Sequence, residues 1–279
     1  MKLITWNIQR GRGPGQACSL DRVVSDLRCI ADADVLCFQE VSSGFSDLAG
    51  CDGRNQFAGL AQRLPGYTPV AGLATDVLDE DGGGRRLFGN MIFSRYPVRQ
   101  VFRHALPWPA HPGVMSMQRI ALEATLDTPL GPLRLATTHL EYFSPAQRTA
   151  QVERLRDLHL EASLQARAMP GGSAGDGPFS PVPRPAPVLL AGDFNFVPGS
   201  SDHGLMLAPF GDSVAPFCDA WEVANAGVAH APTVCVRDPQ PFTFDFVFAS
   251  ADLADRVRAM AVCDAIDGPD HQPVLVELA

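Results

Sequence analysis

Residues 120–138 read IALEATLDTPLGPLRLATT. Two strand-forming runs, Ile120–Leu126 and Leu133–Thr138, flank a Pro/Gly turn at Asp127-Thr128-Pro129-Leu130-Gly131-Pro132, the pattern of an antiparallel hairpin. The start of the chain reads differently. Lys2–Asn7 and Val35–Phe38 are strand runs, and between them Leu20, Val23, Val24, Leu27 and Ile30 recur at helical spacing, with Ser19 or Asp21 as the cap. Hairpins beside a strand–helix–strand unit argue against an all-parallel doubly wound sheet and predict a mixed α/β sandwich. Further strands are expected at Asn90–Ser94, Val188–Ala191, Phe244–Ala249 and Val274–Leu278. A helix is expected over Pro145–Ala168, with Ser144 as N-cap, Pro145 in the first turn and Pro170-Gly171-Gly172 as its stop. Residues 170–187, rich in Pro, Gly and Ser, read as a surface loop.

The 279 residues are 46% hydrophobic and 19% charged, which excludes wholesale disorder. Their formal net charge of -9 argues against holding long nucleic acid by bulk electrostatics, although a local basic groove is compatible with it. No signal peptide and no run of about 18 apolar residues is present, so no membrane span is expected. The seven cysteines are scattered without a CxxC pair, which fits free thiols in a reducing, cytoplasmic setting.

Two motifs fail on context. Gly171-Gly172-Ser173-Ala174-Gly175 matches G-x-S-x-G, but a helix precedes it and a Pro-rich loop follows, the wrong frame for a nucleophile elbow. Gly82-Gly83-Gly84-Arg85-Arg86 lacks the G-K-[ST] ending of a P-loop and reads as a mobile loop with two exposed arginines. The stronger signal is a set of polar residues at or near the ends of apolar strands: Asn7, Glu40, His139, Asp193, Asn195, Asp245, Asp270 and His271. Singly, Glu40, Asp193 or Asp270 could be a cap or a turn former. Asp245 is harder to dismiss, because it interrupts the apolar run TFDFVFAS and a buried carboxylate needs a partner; His271 is the candidate. Hard oxygen donors with two histidines and no Cys–His cluster favour Mg²⁺ or Mn²⁺ over zinc.

In this order, TWNIQRG, DVLCFQEV, GNMIFSRYPV, TTHLEYF, LLAGDFN, FDFVFAS and DHQPVLVEL make the chain resemble the endonuclease/exonuclease/phosphatase superfamily of DNase-like metal phosphohydrolases, nearly end to end. The resemblance implies one domain over residues 1–279, with α/β (α+β) four-layer architecture: two mostly antiparallel sheets face to face and helices outside. It implies Mg²⁺-dependent phosphoester hydrolysis, with Glu40 as principal metal ligand and Asn7 and Asp270 on the metal side. Asp193 is then similar to the group that orients or deprotonates water, and Asn195 to its neighbour. His139 is similar to the histidine that contacts phosphate, and His271 to the histidine paired with Asp245. Arg119, just before the first hairpin strand, is expected to support the cleft.

Departures narrow the branch. Pro269 stands where the family usually has Ser, Phe242-Thr243-Phe244 lacks the usual Arg-Ile, and Phe246 replaces a common Tyr. GDFNFVPG lacks the Arg-Asp of the tyrosyl-DNA phosphodiesterase branch, and His139 is unlike the Tyr of the abasic-site endonucleases. These points weigh against DNA repair. The expectation is a monomeric enzyme acting on a small or lipid-derived phosphoester. The alternatives are a DNA or RNA nuclease, using a patch of Arg10, Arg12, Arg85 and Arg86, and a non-catalytic binding module; the latter is disfavoured because every candidate position holds a competent residue.

Overall fold

Strand parity organises this protein. In the first strand, β1 (Lys2–Asn7), Leu3 faces one core while Ile4 and Trp6 face another, so odd and even positions separate onto opposite faces. The computed structural model describes the chain except residues 14–16, 80–81, 169–176, 178–181, 212–213 and 267–269. The G-x-S-x-G stretch and Pro269 lie outside the described residues.

After β1 come α1 (Leu20–Ile30), β2 (Val35–Ser43), α2 (Gln56–Arg63), β3 (Thr68–Leu78), β4 (Arg85–Ser94) and β5 (Val98–Ala105). The hairpin follows as β6 (Ile120–Thr128) and β7 (Gly131–His139), then α3 (Pro145–Gln165), β8 (Val188–Asp193) and α4 (Ser201–Leu207). The chain closes with β9 (Phe217–Asp219), α5 (Ala220–Ala224), β10 (Asp245–Ser250), β11 (Val257–Val262) and β12 (Val274–Leu278). One sheet has the order β11-β12-β1-β2-β4-β3 and the other β5-β6-β7-β8-β10-β9. Each is antiparallel apart from one parallel pair, β1–β2 and β7–β8.

Among the described residues, three cores define four layers. Leu3, Cys37, Ile92, Leu122, Leu135, Ala191 and Val247 meet between the sheets. Trp6, Leu36 and Phe38 pack against Val23, Leu27 and Leu60 of α1 and α2. Leu190, Phe246 and Phe248 pack against Val152, Leu155 and Leu158 of α3. The helices start where their caps dictate: the Ser19 side chain accepts from Arg22 N, and Ser144 Oγ accepts from Gln147 N behind Pro145. Among the described residues no helix is long and apolar enough to cross a membrane.

The structure corrects several boundaries. β2 continues through Glu40 to Ser43, so Glu40 lies inside a strand. Arg85 and Arg86 belong to β4 and are not in a mobile loop: Arg85 is paired with Asp76, while Arg86 is paired with Asp47 and stacked over Phe45. α3 ends at Gln165, short of Ala168.

Gly192, one residue before the end of β8, has φ +144°, and a Cβ there would lie 2.0 Å from the Thr138 carbonyl oxygen of β7. Gly192→Ala should therefore push β7 and β8 apart and lower stability by about 2–3 kcal/mol, read as a fall in the urea midpoint.

Candidate active site

Parity continues into the site. Leu135, Leu189 and Val247 face the inter-sheet core, so His139, Asp193 and Asp245, each an even number of residues away, face it too. Register aligns them: His139 is opposite Asp193 across β7–β8, and Asp193 is opposite Asp245 across β8–β10. Asn7 reaches them from the other sheet, its Nδ2 donating to Asp193 Oδ2 at 3.0 Å and to Glu40 Oε1 at 3.2 Å. Gln39 ties the two sheets below this point, its Nε2 donating to Thr5 Oγ1 and to Thr137 Oγ1.

Glu40 breaks the parity rule. Leu36 and Phe38 point to the helices, and simple alternation would send Glu40 after them. A register shift between Phe38 and Val41 and φ +58° at Glu40 turn its carboxylate towards Asn7 instead. Arg10 Nη1 then donates to Glu40 Oε2 at 2.6 Å from a turn in which Gln9 and Arg10 also have positive φ. Asn195 has φ +52°; its N–H donates to Asp193 Oδ1 at 3.0 Å and its Nδ2 to the Leu140 carbonyl. Left-handed backbone at non-glycine residues costs roughly 1–3 kcal/mol each, and such strain gathers where geometry serves function.

His271 sits between the two facing carboxylates. Its Nδ1 is 2.9 Å from Asp245 Oδ2, and its Nε2 is 3.5 Å from Asp193 Oδ2. Burial pushes the imidazole down, but Asp245 and then Asp193 outweigh it and raise the pKa to about 10, so the ring is cationic. Burial raises Asp193 to about 7, against the opposing pull of His271 and with a further push from Asp245. His139, with its Nε2 3.4 Å from Asp193 Oδ2, is driven well below the usual histidine range by burial, by Arg119 and by His271. The three groups thus span a cation, a carboxyl titrating near neutrality and a neutral imidazole, the separation that acid–base chemistry needs.

Of the residues singled out in the sequence, Asn7, Glu40, His139, Asp193, Asn195, Asp245 and His271 are joined by these contacts. Asp270 follows a different path: among the described residues its Oδ1 is buried without a hydrogen-bond partner, and its carbonyl accepts from Cys235 N. Arg119 is buried against Glu141, with Nε 3.3 Å from Oε2. Three residues outside that set also hold the site, among them Arg10, which the sequence suggests only for a basic patch. Thr233 Oγ1 donates to Asp245 Oδ2 at 2.7 Å, Trp6 Nε1 donates to the His271 carbonyl, and Arg10 grips Glu40. Thr233 lies in an irregular segment, so no periodicity marks it. Arg10 and Arg12 are engaged inside the protein, Arg12 Nη2 donating to Gln9 Oε1, and with Arg85 and Arg86 in ion pairs the four do not form a track of free guanidinium groups.

The donor set suits a hard divalent cation. Glu40 offers a carboxylate already matched to a positive group, Asn7 an amide oxygen that also accepts from Gln9 N, and Asp270 a carboxylate oxygen buried without a hydrogen-bond partner among the described residues. A second metal-capable group, His203, Asp219, Glu222 and His230, is built around β9. There both histidines contact Asp219 Oδ2 through Nε2, at 3.0 and 2.8 Å, and Asp219 faces Phe248, three positions along β10 from Asp245.

Known structures share this architecture. An endonuclease/exonuclease/phosphatase from Beutenbergia cavernae superposes with TM-score 0.65 at 22% identity over 100% of this chain and 72% of its own. A mannosyl-6-phosphatase from Bacteroides thetaiotaomicron gives TM-score 0.66 at 19% identity, covering 100% of this chain and 99% of its own. The catalytic domain of human Nocturnin, solved with a bound sulfate anion, gives 0.64 at 19%, covering 100% and 93%. At these identities the likeness establishes the fold. No match was found among curated protein sequences. The family model described as Endonuclease/Exonuclease/phosphatase family matches residues 4–260, and members of that family are hydrolases acting on phosphoesters. With that match running through nearly every strand described above, the chain belongs to the endonuclease/exonuclease/phosphatase family.

Proposed function

We propose that the protein, acting as one domain, is a Mg²⁺-dependent hydrolase of small phosphoesters. The observation that carries this reading is His271 held between Asp193 and Asp245, with Asn7 linking Asp193 to Glu40. Glu40, Asn7 and Asp270 would hold Mg²⁺, with Mn²⁺ a chemical equivalent. When bound, the ion neutralises phosphate oxygens and makes phosphorus attackable by water.

The chain's own residues do the rest. Asp193 takes the proton from the attacking water, a role suited to a carboxylate whose pKa burial has lifted to about 7. The Asn7 amide and the Asn195 backbone N–H hold that carboxylate from two sides, fixing its direction. His271 stabilises charge growing on the phosphoryl oxygens, and Asp245 with Thr233 holds its ring in place. His139, neutral beside Asp193, contacts the phosphate. The net charge of -9 and the engaged arginines favour a small ester over a long polyanion.

The test is a panel of inositol phosphates, nucleotides, phospholipids, plasmid DNA and abasic duplex, each with Mg²⁺ and with EDTA. Small esters should be turned over only with Mg²⁺, and plasmid DNA should remain largely intact. Glu40→Gln should need about tenfold more Mg²⁺ for half-maximal rate, because one of few anionic ligands is lost. Hydrolysis indifferent to EDTA, or a Mg²⁺ requirement unchanged in Glu40→Gln, would refute the metal assignment.

A further inference from the structure

Beside the candidate site, a chain of aromatic rings is left open to solvent. Tyr142, Phe143 and Phe242 are 53%, 50% and 41% exposed, unusual for rings held on a fixed frame. Phe242 and Phe244 stack with centroids 5.6 Å apart and planes 9° apart. Tyr142 meets Phe244 at 6.3 Å and Phe143 at 5.0 Å.

Each end of this wall is anchored to a residue of the site. Tyr142 lies three residues after His139. Its carbonyl accepts from Arg148 Nη1, and Glu141 just before it is buried and paired with Arg119. Phe244 directly precedes Asp245, and its carbonyl accepts from Phe194 N, next to Asp193. Phe242 exchanges backbone hydrogen bonds with Val234, N to O at 3.0 Å and back at 2.9 Å. Val234 also bridges to His271 on its other side. Phe242 and His271 are therefore two strand spacings apart, about 10 Å between backbones. A phosphate together with the sugar attached to it can cover that gap.

We propose that this wall is the subsite for a nucleobase, so that the substrate is a mononucleotide or a small nucleotide ester whose phosphate meets His139 and His271. The assignment rests on the hydrolase reading above for the position of the phosphate. A parallel pair of phenyl rings with the outer ring exposed continues naturally with a third planar ring, and base–aromatic stacking contributes about 1–3 kcal/mol per base. An acyl chain would call for a longer apolar groove, and a nucleic-acid strand for a track of free cations. The wall is a short run of rings, and Arg10, Arg12, Arg85 and Arg86 already have partners.

The experiment compares adenosine 5′-monophosphate with ribose 5-phosphate, in which a hydroxyl replaces adenine at the anomeric carbon. Their inhibition constants are measured against Mg²⁺-dependent hydrolysis of bis(p-nitrophenyl) phosphate by the full chain. The nucleotide should bind at least about fivefold more tightly. Phe242→Ala and Tyr142→Ala should each shrink that ratio towards one while leaving the ribose 5-phosphate constant unchanged, and Phe242→Trp should preserve it. Equal constants in the unmodified protein overturn the proposal, as does a ratio that survives both alanine variants. An equal weakening of both ligands by Phe242→Ala also overturns it, because the wall would then be packing the sugar. If neither bis(p-nitrophenyl) phosphate nor any ester of the panel above is hydrolysed, the hydrolase reading is what has failed. The same two ligands are then compared by calorimetry with Mg²⁺, and the ratio there decides the base subsite on its own.

Discussion

Asp193→Asn should lower kcat for any accepted phosphoester by between about a hundredfold and ten-thousandfold, the usual contribution of a positioned general base. Asp193 accepts from Asn195 N through Oδ1 and from Asn7 Nδ2 through Oδ2. Asparagine can keep one of these bonds, but its amide nitrogen cannot take a proton from water. The substitution also removes a negative charge beside His271. The acid limb of the pH–rate profile, set by a carboxyl raised to about 7, should disappear with it. KM should change little, because the group acts on the nucleophile and holds no phosphate oxygen. Rates within threefold of the unmodified enzyme, measured by phosphate release, would rule out Asp193 as the base.

His271→Ala should be damaging twice over, in rate and in stability. Asp193 and Asp245 are buried and directly opposite each other in the β8–β10 ladder, and His271 is the cation between them. Removing one member of a buried ionic group leaves the others uncompensated, a loss of about 3–5 kcal/mol. Urea unfolding of the variant in EDTA should show it, and hydrolysis with Mg²⁺ should fall to background.

The same histidine sets a pH signature in the metal-free protein. Its pKa rises from 6.5 to about 10 on folding, so the folded state holds this proton more tightly than the unfolded chain. The stabilisation is therefore complete below about pH 6.5 and is lost as pH climbs through 10. With EDTA present, the gap in unfolding midpoint between the unmodified protein and His271→Gln should be widest near pH 6 and close by pH 10. A gap that widens over that interval would contradict the assignment of His271 as the bridging cation.

The interior of the fold is legible in the sequence, and its margins are not. β1, β2, β4, β6, β7, β8, β10 and β12 are central or paired on both sides, and all eight carry apolar runs that mark them as strands. Among the described residues, the four strands without such a run, β3, β5, β9 and β11, are the four sheet edges. The burial of β3 and β5 is broken by exposed positions, and β9 is only three residues long. An edge strand owes its conformation to a neighbour's hydrogen bonds more than to its own apolar residues, so periodicity in the sequence is weak there.

The site divides along the same line. Strand alternation, a local property, commits Asn7, His139, Asp193 and Asp245 to the face they share with Leu3, Leu135, Leu189 and Val247. The amino-acid order alone thus determined which polar side chains enter the inter-sheet layer. It could not determine that Glu40 joins them, because that requires a bulge against β4 and a left-handed residue, conformations that only the packed neighbours enforce. Nor could it bring Thr233, Trp6 and Arg10 to their partners or stand Phe242 two strands from His271, since these contacts join segments far apart in the chain. Side-chain direction along a strand is set every two residues by backbone sterics, whereas the meeting of distant segments is set by the register of two folded sheets.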